Sequence, residues 1–450
     1  MNIRQTFNTI RQEKLFSTIY IVGTALAITF TMILSLIYYI NLADIRQEPY
    51  RSRTLYIDEV ESYTYDNPDK HFFSQLLCED MEKYIYPLKD AEIVCGTMSD
   101  IEYYNLMTID TPHGKKRFRQ IKTDPNFFRI YPYTFISGKP FTWEDLHTNS
   151  NMAVITDHLA ETLFGKGVDA IGKEVKTVSN VFLDEHTYRV CGVVKRSSSL
   201  LPRSYAEIFT PYHYVAHFDG EVPHFGSSIQ AIIVAKDRAS MGRIKKELQE
   251  VQRKWNVARP TDSNGRPFTF IFADRNVISH IRATLASLSG TYKRFGNTDY
   301  IQENKASLRL LLLVFLILLI VPSINLCGMV SSRMEERMAE MGIRKSFGAS
   351  RGTLFRQVLS ENLALTLCGG ILGLLLSWIV LGVGRMWLFS LFMNPVAVRE
   401  CPDLTGSMLF APIVFLTAFL LCCVLNLLAA LIPTWWNLRK PIVESMMREK

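Results

Sequence analysis

The 450-residue sequence predicts an α-helical membrane protein: four transmembrane helices plus a large α+β extracytoplasmic domain with a β-rich inserted subdomain. Three observations lead there. Leu15–Ala43, Leu310–Ser332, Asn362–Gly384 and Leu404–Leu438 contain no charged side chain, and each is long enough to cross a hydrocarbon core of roughly 30 Å, which takes about 20 residues. Lysine and arginine crowd the short flanks of these stretches. The chain between the first two has instead the mixed charge and alternating patterns of a water-exposed fold. The overall 48% hydrophobic and 21% charged content averages these two populations.

Residues 1–14 read as a cytoplasmic amphipathic helix. Ile3, Phe7 and Ile10 fall on one face and Arg4, Arg11 and Lys14 on the other, which suits a surface of membrane lipid. An ordinary basic flank is the alternative. Transmembrane helix 1 (15–43) has an uncharged run of 29 residues, too long for the apolar core of a signal peptide. No small-residue cleavage site ends it, so an uncleaved anchor is expected. Transmembrane helices 2, 3 and 4 are placed at 309–332, 361–384 and 408–438. Arg333, Arg337, Arg344, Lys345, Arg351 and Arg356 mark the segment 333–360 as cytoplasmic, and the tail 439–450 is also basic. Both termini then lie inside, with the domain 44–308 and the loop 385–407 outside. The formal charge of +7 is therefore a topology signal, and no nucleic-acid partner is needed to explain it.

Within the outer domain, TLYIDEVES (54–62), FSQLLCEDMEKYI (73–85) and AEIVCGT (91–97) read as strand, helix and strand. IQAIIVAK (229–236), SMGRIKKELQEVQRKW (240–255) and FTFIFAD (268–274) repeat that order. An α+β subdomain of 44–114 and 226–275 is expected to carry a β-rich insertion at 115–225. A stalk at 276–308 is expected to lead into transmembrane helix 2. An oxidising compartment would permit a Cys78–Cys95 disulfide, although free buried thiols are the preferred reading.

Two motif matches suggest enzymes and fail. GVDAIGK (167–173) opens like a phosphate-binding loop, but Glu174 follows Lys173 where the motif needs Ser or Thr to hold magnesium. The stretch also runs from a short helix into a strand, the reverse of the required order, and is expected to be a turn. GASRG (348–352) matches a serine nucleophile elbow, yet Ser350 sits in a cytoplasmic segment without histidine. Gly348 is expected to end one helix and Ser350 to start the next. His213, His217 and His224 are spaced without the glutamate of a zinc-protease helix. No catalytic residue, metal or cofactor is assigned.

The segment RMEERMAEMGIRKSFGASRG (333–352) sets Met334, Met338, Met341 and Ile343 among alternating charges. Large apolar side chains without a globular domain to bury them suit a helix that docks in a partner's groove, with the charges setting register. A membrane-surface helix is the alternative. The run EMGIRKSFGASR, followed by a span with Gly369, Gly370 and Gly373, resembles the FtsX/MacB-type permease subunits of ABC transporters. The tail RKPIVESMMRE is similar to that family's ending, although Met446 and Met447 replace its usual Leu-Arg. The stretch from DPNFFRIYPYTFISGKPF to YRVCGVV (124–194) resembles its periplasmic core domain.

The resemblance implies a multi-pass, non-catalytic subunit of a bacterial inner membrane, with domain 44–308 in the periplasm. Two such chains, copies or paralogues, would pair, and each would receive a separate cytoplasmic ABC ATPase on the helix between spans two and three. ATP hydrolysis would move the periplasmic domains by mechanotransmission, exporting or extracting a substrate. A periplasmic adaptor, an outer-membrane factor or a hydrolase would be further partners. Residues carried over as ATPase-coupling are Met338, Glu340, Met341, Gly342, Ile343, Arg344, Lys345, Gly348 and Ala349. Met341 and Ile343 are expected to fill the ATPase groove, and Arg344 and Lys345 to meet its acidic rim. Gly369 and Gly373 are spaced for close helix approach, either between subunits or within one. Pro322, helped by Asn325, is the candidate hinge in transmembrane helix 2. A regulator of a periplasmic hydrolase that transports nothing is the second reading. A ligand-sensing receptor, the reading from a different class, would need a larger cytoplasmic output domain.

Overall fold

A computed structural model of the chain describes residues 14–288, except 65–66, 75, 99–105, 180–184, 213–228, 258–267 and 272–276. It also describes 342–384 except 345, 412–439, and isolated positions between 309 and 332. The chain forms two units. One comprises Met1–Ile40, Leu308–Leu391 and Gly406–Lys450, and the other Asn41–Ser307 with Phe392–Thr405. Helix α1 (Lys14–Leu42) opens the described chain.

The outer unit holds fourteen described strands. They are β1 (Thr54–Ile57), β2 (Val60–Thr64), β3 (Asn67–Ser74), β4 (Ala91–Met98), β5 (Leu106–Thr111), β6 (Gly114–Thr123), β7 (Phe135–Gly138), β8 (Met152–Thr156), β9 (Glu174–Ser179), β10 (Glu185–Val194), β11 (Ile208–Pro211), β12 (Gln230–Ala235), β13 (Phe268–Ile271) and β14 (Val277–Ser279). The main sheet runs β11–β8–β10–β9–β5–β6–β4–β12–β1–β14, and β11 also pairs in parallel with β6. Six strands therefore close into a ring, and four extend from β6 as an open sheet. The expected boundary at residue 115 falls inside the β5–β6 hairpin, which the ring uses whole.

Residue pattern explains the two halves. On β9 and β10, Val175, Thr177, Tyr188 and Val190 point inward, while Lys176, Thr187 and Arg189 alternate outward. Such alternation marks strands with one wet face. β12 is buried at every position because both its faces are covered. On one side Ala231 and Ile233 meet Met81 and Ile85, in the turn after α2 (Cys78–Asp80). A later helix covers the same face with Ile244, Leu248 and Trp255. On the other side Ile232 and Val234 meet Phe127 of α3 (Phe127–Ile130), and Phe209. The other α-helices among the described residues of this unit are α4 (Trp143–His147), α5 (Asp157–Phe164), α6 (Ser240–Val257), which carries Ile244, Leu248 and Trp255, and α7 (His280–Leu288).

Three expectations for this unit are corrected or settled. The helix expected from Phe73 starts only at Cys78, because Phe72 and Phe73 are drawn into β3 opposite Ser62 and Glu61. Strand β13, expected to close a second strand–helix–strand repeat, joins β2 and β3 in a separate small sheet. Cys78 and Cys95 are free thiols in cores on opposite faces of the main sheet, which places the sheet between the two sulfurs.

A buried polar cluster lies just beyond α1. Glu48 and Arg51 pair at 2.6 Å with side chains only 2% and 4% exposed. Ser204 donates its hydroxyl to Glu48, and Arg51 donates to the Ala43 carbonyl at 3.1 Å. Burial alone would push the Glu48 carboxyl up, but Arg51 and Ser204 outweigh it and hold the group below the ordinary carboxylate range. Beside it, Arg203 grips Asp58 through bonds of 3.1 and 2.9 Å and stacks over the Tyr56 ring at 3.7 Å.

His280 completes the cluster, 2.9 Å from both the Tyr56 hydroxyl and the Asn41 carbonyl. A carbonyl only accepts, so Nε2 carries the proton and Nδ1 accepts from Tyr56. Burial, reinforced by Arg51, lowers the imidazole to about 4. A neutral native His280 costs stability once the unfolded chain protonates. Its contribution is therefore flat above pH ~6.5 and falls as pH drops from there toward 4, by on the order of 3 kcal/mol. Asp80 and Asp124, both pushed up to about 6 by burial, act in the opposite direction. The comparison is thus native chain against His280→Gln, where those carboxyls cancel. The stability difference between the two should change with pH only between about 6.5 and 4, and a pH-independent difference would refute the assignment.

In the second unit, α1 packs with α8 (Arg351–Val383) and α9 (Pro412–Arg439). All three contain stretches long and apolar enough to cross a membrane. At 1.5 Å per residue α8 is about 50 Å long, so its charged first turns extend past an apolar span that begins near Asn362. A Cβ at Gly369 would stand 2.8 Å from Thr24 Cβ, and one at Gly373 would stand 2.7 Å from the Ala25 carbonyl oxygen. Both glycines thus stand where α8 comes close to α1 in this chain. Gly370 sits against the Phe419 ring of α9. Thr29 donates to the Ala25 and Gly373 carbonyls at 2.7 and 3.0 Å, which joins α1 and α8 through a hydroxyl. Pro322 and Asn325 of the expected transmembrane helix 2 lie outside the described residues, as do residues 1–13, the loop 385–407 and the tail 440–450.

Candidate functional site

The segment 333–360, expected to be cytoplasmic, is described from Gly342 to the start of α8, apart from Lys345. Gly342, Ile343 and Arg344 are helical. Phe347 N–H donates to Ile343 and Ala349 N–H to Arg344, at 3.1 and 3.0 Å, which closes the helix end. Gly348 makes the exit with φ of +90°, a conformation that a side chain disfavours. Ser350 then caps α8, accepting from Thr353 N–H at 3.2 Å. The serine that mimicked a nucleophile elbow is a helix cap, as expected. GVDAIGK is likewise a turn between α5 and β9, and Lys173 lies 4.7 Å over the Phe164 ring.

Side chains on this turn divide by direction. Ile343 is 49% exposed and Phe347 is 87% exposed. Ala349 packs inward against the core formed by Tyr20, Leu354 and Leu365, so it supports the turn and is not presented. Arg344 also points inward: its Nη1 donates to Gln357 of α8 at 2.8 Å. Met338, Glu340, Met341 and Lys345 lie outside the described residues. Phe347 was missed at the sequence level because its position beside Gly348 reads as part of a turn. The usable signal was an aromatic residue next to a glycine, with no pattern to bury it. Among the described residues, no group of three or more His, Cys, Asp or Glu is gathered to hold a metal ion, and His213, His217 and His224 lie outside them.

Comparison with known proteins gives this geometry its setting. The family described as the MacB-like periplasmic core domain matches residues 17–251, more than half of the chain. The chain belongs to this MacB/FtsX permease family. The FtsX-like permease C-terminal family matches residues 312–442, which include the Gly348 turn, α8 and α9. The macrolide export ATP-binding/permease protein MacB of Shewanella oneidensis is 26% identical over 265 residues, covering 57% of this chain and 34% of that protein. This chain thus spans about a third of the length of that relative. The uncharacterized ABC transporter permease YknZ of Bacillus subtilis is 23% identical over 310 residues, 67% of each chain. Among solved structures, the periplasmic region of MacB from Actinobacillus actinomycetemcomitans aligns with a TM-score of 0.33 at 11% identity, over 51% of this chain and 92% of that one.

Proposed function

We propose that this MacB/FtsX-type permease couples ATP hydrolysis by a separate cytoplasmic ATPase to movement of its periplasmic domain, for export or extraction of a substrate. The observation that carries the reading is the pair of exposed apolar side chains, Ile343 and Phe347, held on a capped turn between two helices. Water does not favour an aromatic ring left 87% exposed, whereas a partner's groove would bury it. The chain acts without catalytic residues of its own. In this proposal it has four spans, with transmembrane helix 2 at 309–332, both termini inside and residues 44–308 in the periplasm of a bacterial inner membrane. It works as a dimer with a second copy or paralogue.

The test is capture of an ATPase by the tagged full chain in detergent, with ATP turnover measured on the captured complex. Ile343→Asp and Phe347→Asp should each weaken capture by about 10- to 100-fold, the equivalent of withdrawing one large apolar side chain from a groove. Full retention of the ATPase by the Phe347→Asp chain would remove the docking assignment.

A further inference from the structure

We propose that Arg344, Gln357 and Glu361 form a polar relay that fixes the cytoplasmic turn to α8, so that Arg344 is a positioning residue and not a rim contact of the partner. The inference rests on the docking reading above but changes the role of one of its residues. Arg344 Nη1 donates to Gln357 Oε1 at 2.8 Å, and Gln357 Nε2 donates to Glu361 Oε1 at 3.2 Å. The amide of Gln357 can do both because its oxygen accepts while its nitrogen donates. Gln357 and Glu361 stand one turn apart on α8, the spacing at which helical side chains meet. Glu361 is only 3% exposed, at the cytoplasmic approach to the apolar part of α8.

The relay therefore starts at a cation on the turn and ends at a buried carboxyl group on a membrane helix. Arg344 is half-buried, whereas Arg356 on the same stretch of α8 is exposed and available to an acidic surface. The backbone agrees with this division. Ala349 N–H bonds to the carbonyl of Arg344, so the residue tied to Gln357 also closes the turn that presents Phe347. A push on Phe347 is thus passed to α8 through two side-chain hydrogen bonds as well as through the chain.

The test uses the full chain in detergent with Arg344→Ala, Gln357→Leu and their combination, and reads two quantities. The first is hydrogen exchange at the Phe347 and Ala349 amides of the chain alone. The second is ATPase capture together with ATP turnover. The relay predicts that Gln357→Leu speeds exchange at these amides about fivefold or more, and that the double variant is no faster than the quicker single one. Capture should stay within about twofold of native while turnover of the captured ATPase falls. Gln357→Glu, which still accepts from Arg344 but cannot donate to Glu361, should exchange at a rate between native and Gln357→Leu. Unchanged exchange in Gln357→Leu would overturn the relay. So would Arg344→Ala abolishing capture while Gln357→Leu is native in both measurements, because that pattern is a rim contact. If the native chain captures no ATPase, the docking reading fails by itself, and the exchange comparison still decides the relay.

Discussion

Gly373→Leu is expected to disrupt the packing of α1 on α8 and to cost the folded membrane unit on the order of 3 kcal/mol. A single added Cβ already stands 2.7 Å from the Ala25 carbonyl oxygen and 3.0 Å from Ile28 Cβ. The first obstacle is backbone, which yields only if a whole helix moves. The Thr29 hydroxyl, now 3.0 Å from the Gly373 carbonyl, would lose that acceptor as the helices part. Gly370 offers the control. A Cβ there overlaps the Phe419 ring, a side chain that can rotate away. Gly370→Ala should therefore cost less than Gly373→Ala, although its overlap is the more severe on paper. Unfolding of the purified full chain by titration with a denaturing detergent would rank the variants. If Gly373→Leu left stability unchanged and instead split a dimer, the glycine face would belong to an interface between copies.

Features set by short-range chemistry were legible in the sequence. Charge-free length marked α1, α8 and α9, and the Gly348 exit with the Ser350 cap followed from residue types that are good at those positions. The dismissal of GVDAIGK as a phosphate loop rested on Glu174 and on the helix-to-strand order around the stretch. Long-range pairings were not legible. β6 meets β11 in parallel, joining Gln120 to Ile208, and no local pattern announces a partner so distant. Phe72 and Phe73 suit a helix or a strand equally in a short window, and pairing with β2 decides the matter. At the site, the apolar content of the turn was visible, but not the direction of each side chain. Arg344 looked like a free cation because a sequence shows its charge and not the Gln357 amide it meets. Glycine spacing at 369 and 373 leaves two uses open, and the approach of α1 to both glycines supports the one within a chain.

Arg51→Ala should be the most damaging single change in the outer unit, at about 3–5 kcal/mol, because it leaves the Glu48 carboxylate buried without its cation. The pair lies at a junction of distant segments: Glu48 and Arg51 follow α1, Ser204 precedes β11, and His280 starts α7 beside Tyr56 of β1. Losing it would loosen all of these together, so amide exchange should rise in β1 and β14 as well as around residue 51. Arg253→Ala is the contrast. Its partner Glu250 and it are 58% and 74% exposed, and removing that pair should cost at most about 0.5 kcal/mol. Buried ion pairs owe their worth mainly to the penalty of breaking them, so replacing both members by apolar residues should recover most of the loss. Glu48→Leu combined with Arg51→Met is accordingly expected to lie within about 1–2 kcal/mol of native in denaturant titrations of the full chain. A double variant as unstable as Arg51→Ala alone would show that the guanidinium, through bonds such as the one to the Ala43 carbonyl, stabilises the junction independently of Glu48.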